Sequence, residues 1–137
     1  AGTGTTIIAN NNDYTGGTTI SAGTLQIGNG GATGALTGSI VNNSALIFNT
    51  SNNFTLANTI SGTGSLTQAG SGVVTVSATN TYTGATTINS GTLSINSIGN
   101  AGTNTAVGNS SATINIGAGT LRYTGTGHSS ARVINIT

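Results

Sequence analysis

Short alternations of apolar and polar residues recur along this chain, each bounded by Gly, Ser or Asn. Thr5-Thr6-Ile7-Ile8, Thr18-Thr19-Ile20, Thr24-Leu25-Gln26-Ile27 and Val73-Val74-Thr75-Val76 are the clearest. Residues two apart in a strand share a face, and Thr, Ile and Val suit a pleated, half-buried surface. These runs predict short strands. Ser21-Ala22-Gly23 and the segment from Ala1 to Gly4 read as turns, and the Asn-rich stretch from Asn10 to Asp13 reads as a loop.

The alternations are organised by a repeat. Asn80 to Ile95 restates Asn12 to Ile27, with Tyr82 in the place of Tyr14. The chain therefore reads as one domain of two long repeats, about 1–68 and 69–136. A shorter unit is nested inside. Aligning Leu25, Leu46, Leu66, Leu93 and Leu121 places Gly23, Ser44, Gly64, Gly91 and Gly119 two residues earlier. Thr24, Ala45, Ser65, Thr92 and Thr120 fall one residue earlier, and Ile27, Phe48, Gln68, Ile95 and Tyr123 two later. Ile20, Val41, Ile60, Ile88 and Ile116 fall five or six earlier. Each column is chemically uniform except at Gln68. The leucines and the residues two later are expected to face inward. The glycines are expected at corners that need a positive φ or a close backbone approach.

The leucine spacing falls within the period of roughly 20–50 residues that belongs to solenoids, propellers and arrays. Propeller blades need about 40 residues or more, and no leucine-rich-repeat signature is present. An all-β parallel β-helix, a β-solenoid of about five to six coils, fits best, with like residues stacked on like about 4.8 Å apart. Gly99 to Asn104 is expected to bulge from a longer fifth coil, and Ala131 to Ile136 to open a sixth.

Gly62-Thr63-Gly64-Ser65-Leu66 through Gly72, then Val76, Asn80-Thr81-Tyr82-Thr83-Gly84 and Gly91-Thr92-Leu93, resembles the autotransporter-associated β-strand repeat, also called the passenger-associated transport repeat. Asn12 to Ile27 is similar to its second half, and Asn42 to Phe48 to the strand that often precedes it. The resemblance covers most of Asn12 to Ile95 and is loose beyond. It implies a right-handed parallel β-helix, extracellular or at a bacterial cell surface, as part of a passenger protein. It implies no activity. The chain departs from the family in having no C-terminal translocator barrel and almost no charge.

Composition narrows the function classes further. Charged residues make up 2% of the chain, against about 25% in ordinary globular proteins. Asp13 is the one acid, and Arg122 and Arg132 are the two bases. A formal net charge of +1 gives no footprint for nucleic acid or an anionic membrane. No apolar run approaches the roughly 18 residues of a membrane helix. The absence of an initial Met and of a signal pattern points to a processed or excised N-terminus.

Ordinary glycoside hydrolysis needs two carboxylates, so a single acid excludes it. Asp13 reads as a turn residue. A triad of Asp13, His128 and a serine lacks a nucleophile-elbow motif, and His128 reads as an exposed loop residue. One His and no Cys make a poor metal site. Gly28-Asn29-Gly30-Gly31 and Gly62-Thr63-Gly64 read as corners rather than phosphate loops, because no Lys and no helix follow. Arg122 and Arg132 are expected to point outward into solvent. Tyr14 and Tyr82 are expected to pack over loops with bonded hydroxyls, a sugar-stacking platform being the rival. Asn53-Phe54-Thr55 is a candidate glycosylation triplet. No catalytic, cofactor-binding or metal-ligating residue is assigned, and no cofactor.

The expected role is mechanical: a stalk, spacer or fibre without enzymatic activity. An adhesion or glycan-binding module, meeting a surface glycan or a cell, is the first alternative. Ice binding is the second, through the rank of Thr24, Ala45, Ser65, Thr92 and Thr120, which two residues interrupt. With no Pro, no Lys and no amphipathic segment long enough for a helical cap, the open sheet edges predict head-to-tail self-association.

Overall fold

A computed structural model describes residues 2–109 and 111–137. Its strands, in chain order, are Thr5–Ile8 (β1), Thr18–Ile20 (β2), Thr24–Ile27 (β3), Ile40–Asn42 (β4), Ala45–Phe48 (β5), Phe54–Leu56 (β6), Ile60–Ser61 (β7), Ser65–Gln68 (β8), Val73–Val76 (β9), Thr86–Ile88 (β10), Thr92–Ile95 (β11), Ile114–Ile116 (β12), Thr120–Tyr123 (β13) and Ile134–Ile136 (β14). No helix occurs among the described residues. Ala1, the first residue of the expected N-terminal turn, lies outside them.

The strands form three parallel sheets that wrap one lumen. The first sheet has seven strands, in the order β1-β3-β5-β8-β10-β12-β14. The second runs β13-β11-β9-β6 and the third β2-β4-β7. The path visits first, second and third face in turn and then returns to the first, as from Leu46 to Leu66 to Thr86. The protein is a parallel β-solenoid of seven rungs, where the leucine alignment counts five to six coils. The expected strands at Thr5–Ile8, Thr18–Ile20, Thr24–Ile27 and Val73–Val76 are all present.

Strand parity sets the core. In β3, β5, β8 and β9 alternate residues are buried, so Leu25, Ile27, Leu46, Phe48, Leu66, Val74 and Val76 fill the lumen. Phe48 and Phe54 meet with ring centroids 5.6 Å apart. Leu93 and Ile95 are buried as the alignment predicts, and Ile20, Ile60 and Ile88 are buried with them; Leu121 is only partly covered, and Tyr123, expected inward, is 39% exposed.

The single leucine column does not form. Leu25, Leu46 and Leu66 stack on the first sheet, but the next residue in that stack, beside Leu66, is Thr86. Leu93 belongs to the second sheet, between Val74 and Leu121. The isoleucine column dissolves likewise. Ile40 stacks on Ile60 and is buried, while Val41 points out beside Ser61. Ile88 and Ile116 stack together on the first sheet instead.

The cause is the rotation of the long repeat. Counting faces from β1 to β9 gives ten steps, with Asn11 and Ala35 filling the two faces that have no named strand. Ten steps are three turns plus one face. Sequence equivalents therefore lie one face apart: β1 on the first sheet matches β9 on the second, and β3 matches β11 in the same way. The step from Leu66 to Leu93 is one turn and one face. The step from Leu93 to Leu121 is one turn enlarged by a loop over residues 96–109, where Thr105 bridges Asn80 and Gly102 turns with φ +85°.

Candidate functional site

Gln68, the exception in the aligned columns, and the buried Asn42 and Asn80 are used inside the solenoid. Gln68 occupies the inward column between Phe48 and Ile88. Its Nε2 donates to the carbonyls of Gly70 (2.9 Å) and Gly72 (3.2 Å), holding the corner that leads to β9. Asn42, also buried, donates through Nδ2 to the Ser65 carbonyl of the next rung at 2.8 Å. Asn80 Oδ1 accepts the Ile60 N–H at 2.7 Å, and its Nδ2 donates to the Ala106 carbonyl at 2.8 Å. These amides replace ladder hydrogen bonds where the chain turns, so their chemistry serves the fold.

The glycine corners behave as expected. Gly23 and Gly91 have φ of +72° and +57°. A Cβ on Gly64 would lie 2.4 Å from Asn42 Oδ1, and one on Gly119 2.4 Å from Ile88 Cγ2. Gly28 and Gly62 are corners as well, with φ of +84° and +97°.

The tyrosines at one repeat position diverge in setting. Tyr14 and Tyr82 each hydrogen-bond the threonine four residues on, Thr18 or Thr86, at 2.7 Å. Tyr82 is buried and Tyr14 is 39% exposed. The loop over residues 96–109 makes the difference. Asn109 N–H donates to the Tyr82 carbonyl at 2.9 Å, and Ala106, Val107 and Gly108 are buried beside it. Burial pushes the Tyr82 hydroxyl up to about 12, against the opposing pull of its Thr86 hydrogen bond and the Arg132 charge. Tyr14 has no such loop, and its carbonyl accepts the Thr37 hydroxyl.

Arg132 corrects the expectation of two solvated arginines. It is half-buried, with Nε donating to the Gly99 carbonyl at 2.8 Å and an Nη to the Gly108 carbonyl at 2.9 Å. The guanidinium thus ties both arms of the loop to the last turn. Partial burial lowers its pKa from the ordinary arginine value. Arg122 is exposed, as expected, and its Nε donates to Ser94 Oγ at 3.2 Å.

The other candidates are dispersed. Asp13 is exposed in the first turn, and His128 is exposed in the last, bonded through Nδ1 to the Tyr123 hydroxyl at 2.6 Å. The two lie at opposite ends of the stack of rungs, so no triad is assembled. Among the described residues no three of His, Cys, Asp and Glu come together to hold a metal ion. No helix there is long and apolar enough to cross a membrane. Asn53 Oδ1 accepts the Val73 N–H at 2.9 Å.

The outward rank proposed for ice is split between sheets. Thr24, Ala45 and Ser65 stand on the first, and Thr92 and Thr120 stand with Val73 on the second. The outward positions form short polar columns, Thr67 beside Thr87 among them; Ser94, beside Thr75, has outward parity but is buried where Arg122 bonds it.

Comparison with known proteins agrees with this geometry. Residues 1–27 and 66–95 match the family model of the passenger-associated transport repeat. The chain is 58% identical over 55 residues to the adhesin BmaC autotransporter of Brucella suis biovar 1 (strain 1330), an overlap of 40% of this chain. It spans about 2% of the length of that relative. No solved structure matches. The two matched segments fall on the two copies of the long repeat, turned by one face, and over them the chain is similar to the passenger-associated transport repeat of autotransporters.

Proposed function

We propose that this chain is a stretch of a β-solenoid stalk in a surface or secreted passenger of a bacterial cell, with a mechanical role and no catalysis of its own. One observation carries the reading: parallel ladders run along the molecule on three faces, and its buried amides are spent on corners. A ladder of hydrogen bonds along the axis resists extension, and a repeat that adds whole faces lengthens the rod without changing its cross-section. The passenger repeat and the autotransporter relative support an extracellular setting.

The test is to insert one further copy of the long repeat into the surface protein that carries this segment. At about 4.8 Å per rung, three turns and one face add about 16 Å. Electron microscopy should show a longer projection of equal width, and a change in width or a folded-back rod would contradict the stalk. Purified chain should not cleave polysaccharides. Hydrolysis lost on Asp13→Asn would overturn the non-enzymatic reading.

Adhesion is the second reading, favoured by the relative's name as an adhesin and by the exposed Tyr14 ring, an apolar face of the kind sugars stack on. Saturable binding on a glycan array that is lost with Tyr14→Ala would support it, and a blank array would oppose it.

A further inference from the structure

We propose that Asn29 is a covalent modification site: it deamidates spontaneously, the stacked rungs hold the reaction shut, and it proceeds when the corner comes away from the next rung. The inference is independent of the stalk reading and rests on the chemistry of one corner.

Asn29-Gly30 is the one Asn-Gly pair in the chain, and the reaction there needs no enzyme. The Gly30 backbone nitrogen, once it has given up its proton, attacks the Asn29 side-chain carbonyl carbon. A C–N bond forms, the Cγ–Nδ2 bond breaks, and the nitrogen leaves as ammonia. Water then opens the five-membered imide at either carbonyl, giving aspartate or isoaspartate. Nothing is oxidised or reduced. A glycine in the following position offers no side chain to hinder ring closure. Asn49, in the same corner one rung on, is followed by the buried, β-branched Thr50.

The side chain of Asn29 is available. It is exposed, and its amide makes no hydrogen bond among the described residues. Other corner amides are held by neighbouring rungs. Asn53 Oδ1 accepts the Val73 N–H at 2.9 Å, Asn43 Oδ1 accepts that of Thr63 at 3.4 Å, and Asn96 Nδ2 donates to the Ser77 carbonyl at 3.2 Å.

The attacking atom is the one that is restrained. Gly30 N–H donates to the Asn49 carbonyl of the next rung at 2.8 Å. While that bond stands, the proton is held, and the anion left by its loss would face a carbonyl lone pair. The glycines on either side fix the corner in place. Gly28 is buried with φ +84°, and a Cβ on it would lie 2.4 Å from the same Asn49 oxygen. Gly30 turns with φ +79°, a conformation that glycine adopts without strain. Ring closure therefore requires the corner to leave Asn49, which is a local opening of the solenoid.

The change is one-way. Isoaspartate routes the main chain through one extra carbon, so Gly30 N–H no longer lies opposite the Asn49 carbonyl. Either product adds a carboxylate to a chain whose one acid is Asp13, and lowers the formal net charge of +1 by one. A modified Asn29 thus marks a rung that has opened and keeps it from closing as before.

The test holds the full-length chain in mildly alkaline buffer, folded or in urea. Peptide mass mapping follows aspartate and isoaspartate at position 29, with Asn49 read in the same samples. Conversion at Asn29 should be at least about tenfold slower in the folded chain than in urea, because the bond to Asn49 must break first. In urea Asn29 should convert faster than Asn49, and Gly30→Ala should slow it. Leu46→Ala removes a buried side chain from the rung that carries Asn49. It should raise the rate in native buffer, whether the variant opens locally or unfolds. Comparable rates for the native chain folded and in urea, or a rate in buffer that Leu46→Ala leaves unchanged, would overturn the restraint. An Asn29 that does not outrun Asn49 in urea would overturn the site. Neither result bears on the stalk reading, which keeps its own test.

Discussion

Thr86 stands directly beside Leu66 on the first sheet, and Leu93 does not. That neighbour relation sets the length of a turn and separates the leucines into two stacks, one on each of two faces. Both stacks are inward, so truncation should be costly in either. Leu66→Ala and Leu93→Ala should each lose about 2–5 kcal/mol in urea unfolding. A loss under about 0.5 kcal/mol, typical of surface sites, would contradict their burial.

Asn80 and Asn12 are sequence equivalents with unequal work. Asn80→Ala leaves the buried Ile60 N–H and Ala106 carbonyl unpaired, and should cost about 1–3 kcal/mol. Asn12→Ala in the isolated chain removes one local bond at an exposed loop, and should cost well under about 1 kcal/mol. Equal losses in thermal unfolding would show that the two sites have the same surroundings.

The inside and outside of this protein are legible in its sequence, and the face is not. Gly91-Thr92-Leu93-Ser94-Ile95 repeats the chemistry of Gly23-Thr24-Leu25-Gln26-Ile27 because every face asks for the same thing: a tight corner, then two inward apolar residues. Similarity therefore aligns Leu93 with Leu25 although they lie on different sheets. The faces differ only in their order along the chain, which needs the count of turns. The strand β6 gives a weak signal, since Phe54 and Leu56 sit among Asn and Thr. Tyr82 cannot be distinguished from Tyr14 by its own neighbours. Its burial depends on the loop over residues 96–109, announced only by the long spacing before Leu121. Arg132 reads as solvated because nothing near it in sequence names Gly99 and Gly108 as its acceptors.

Two glycines separate close approach from mere abundance of Gly. Gly91 has φ +57°, and a Cβ there would lie 2.3 Å from the Gly70 carbonyl oxygen. Gly91→Ala should destabilise by more than about 1 kcal/mol. Gly4 has open space around it and no positive φ, so Gly4→Ala should shift stability by less than about 0.5 kcal/mol. Denaturant midpoints of the two variants give the comparison directly.

Tyr82 makes stability fall in alkali. Its folded pKa of about 12 exceeds the unfolded value of 10.0 because burial disfavours the phenolate. The stabilisation is fully present below pH 10. Between pH 10 and 12 the unfolded chain releases a proton that the folded chain retains, so unfolding becomes easier as pH rises. About 2–3 kcal/mol is lost over that interval. Tyr82→Phe should be less stable at neutral pH, where Thr86 loses its partner, and should show a shallower alkaline decline. An unchanged slope would assign the decline to other groups.

The long repeat advances the solenoid by three turns and one face, and two engineered cysteine pairs in the single chain test this most directly. Thr67→Cys with Thr87→Cys places thiols on neighbouring rungs of the first sheet, about 4.8 Å apart between backbones and within reach of a disulfide. Ser65→Cys with Thr92→Cys would be neighbours only if all five leucines shared one column. Rapid intramolecular oxidation of the first pair and none of the second is the predicted result; oxidation of the second pair and not the first would contradict it.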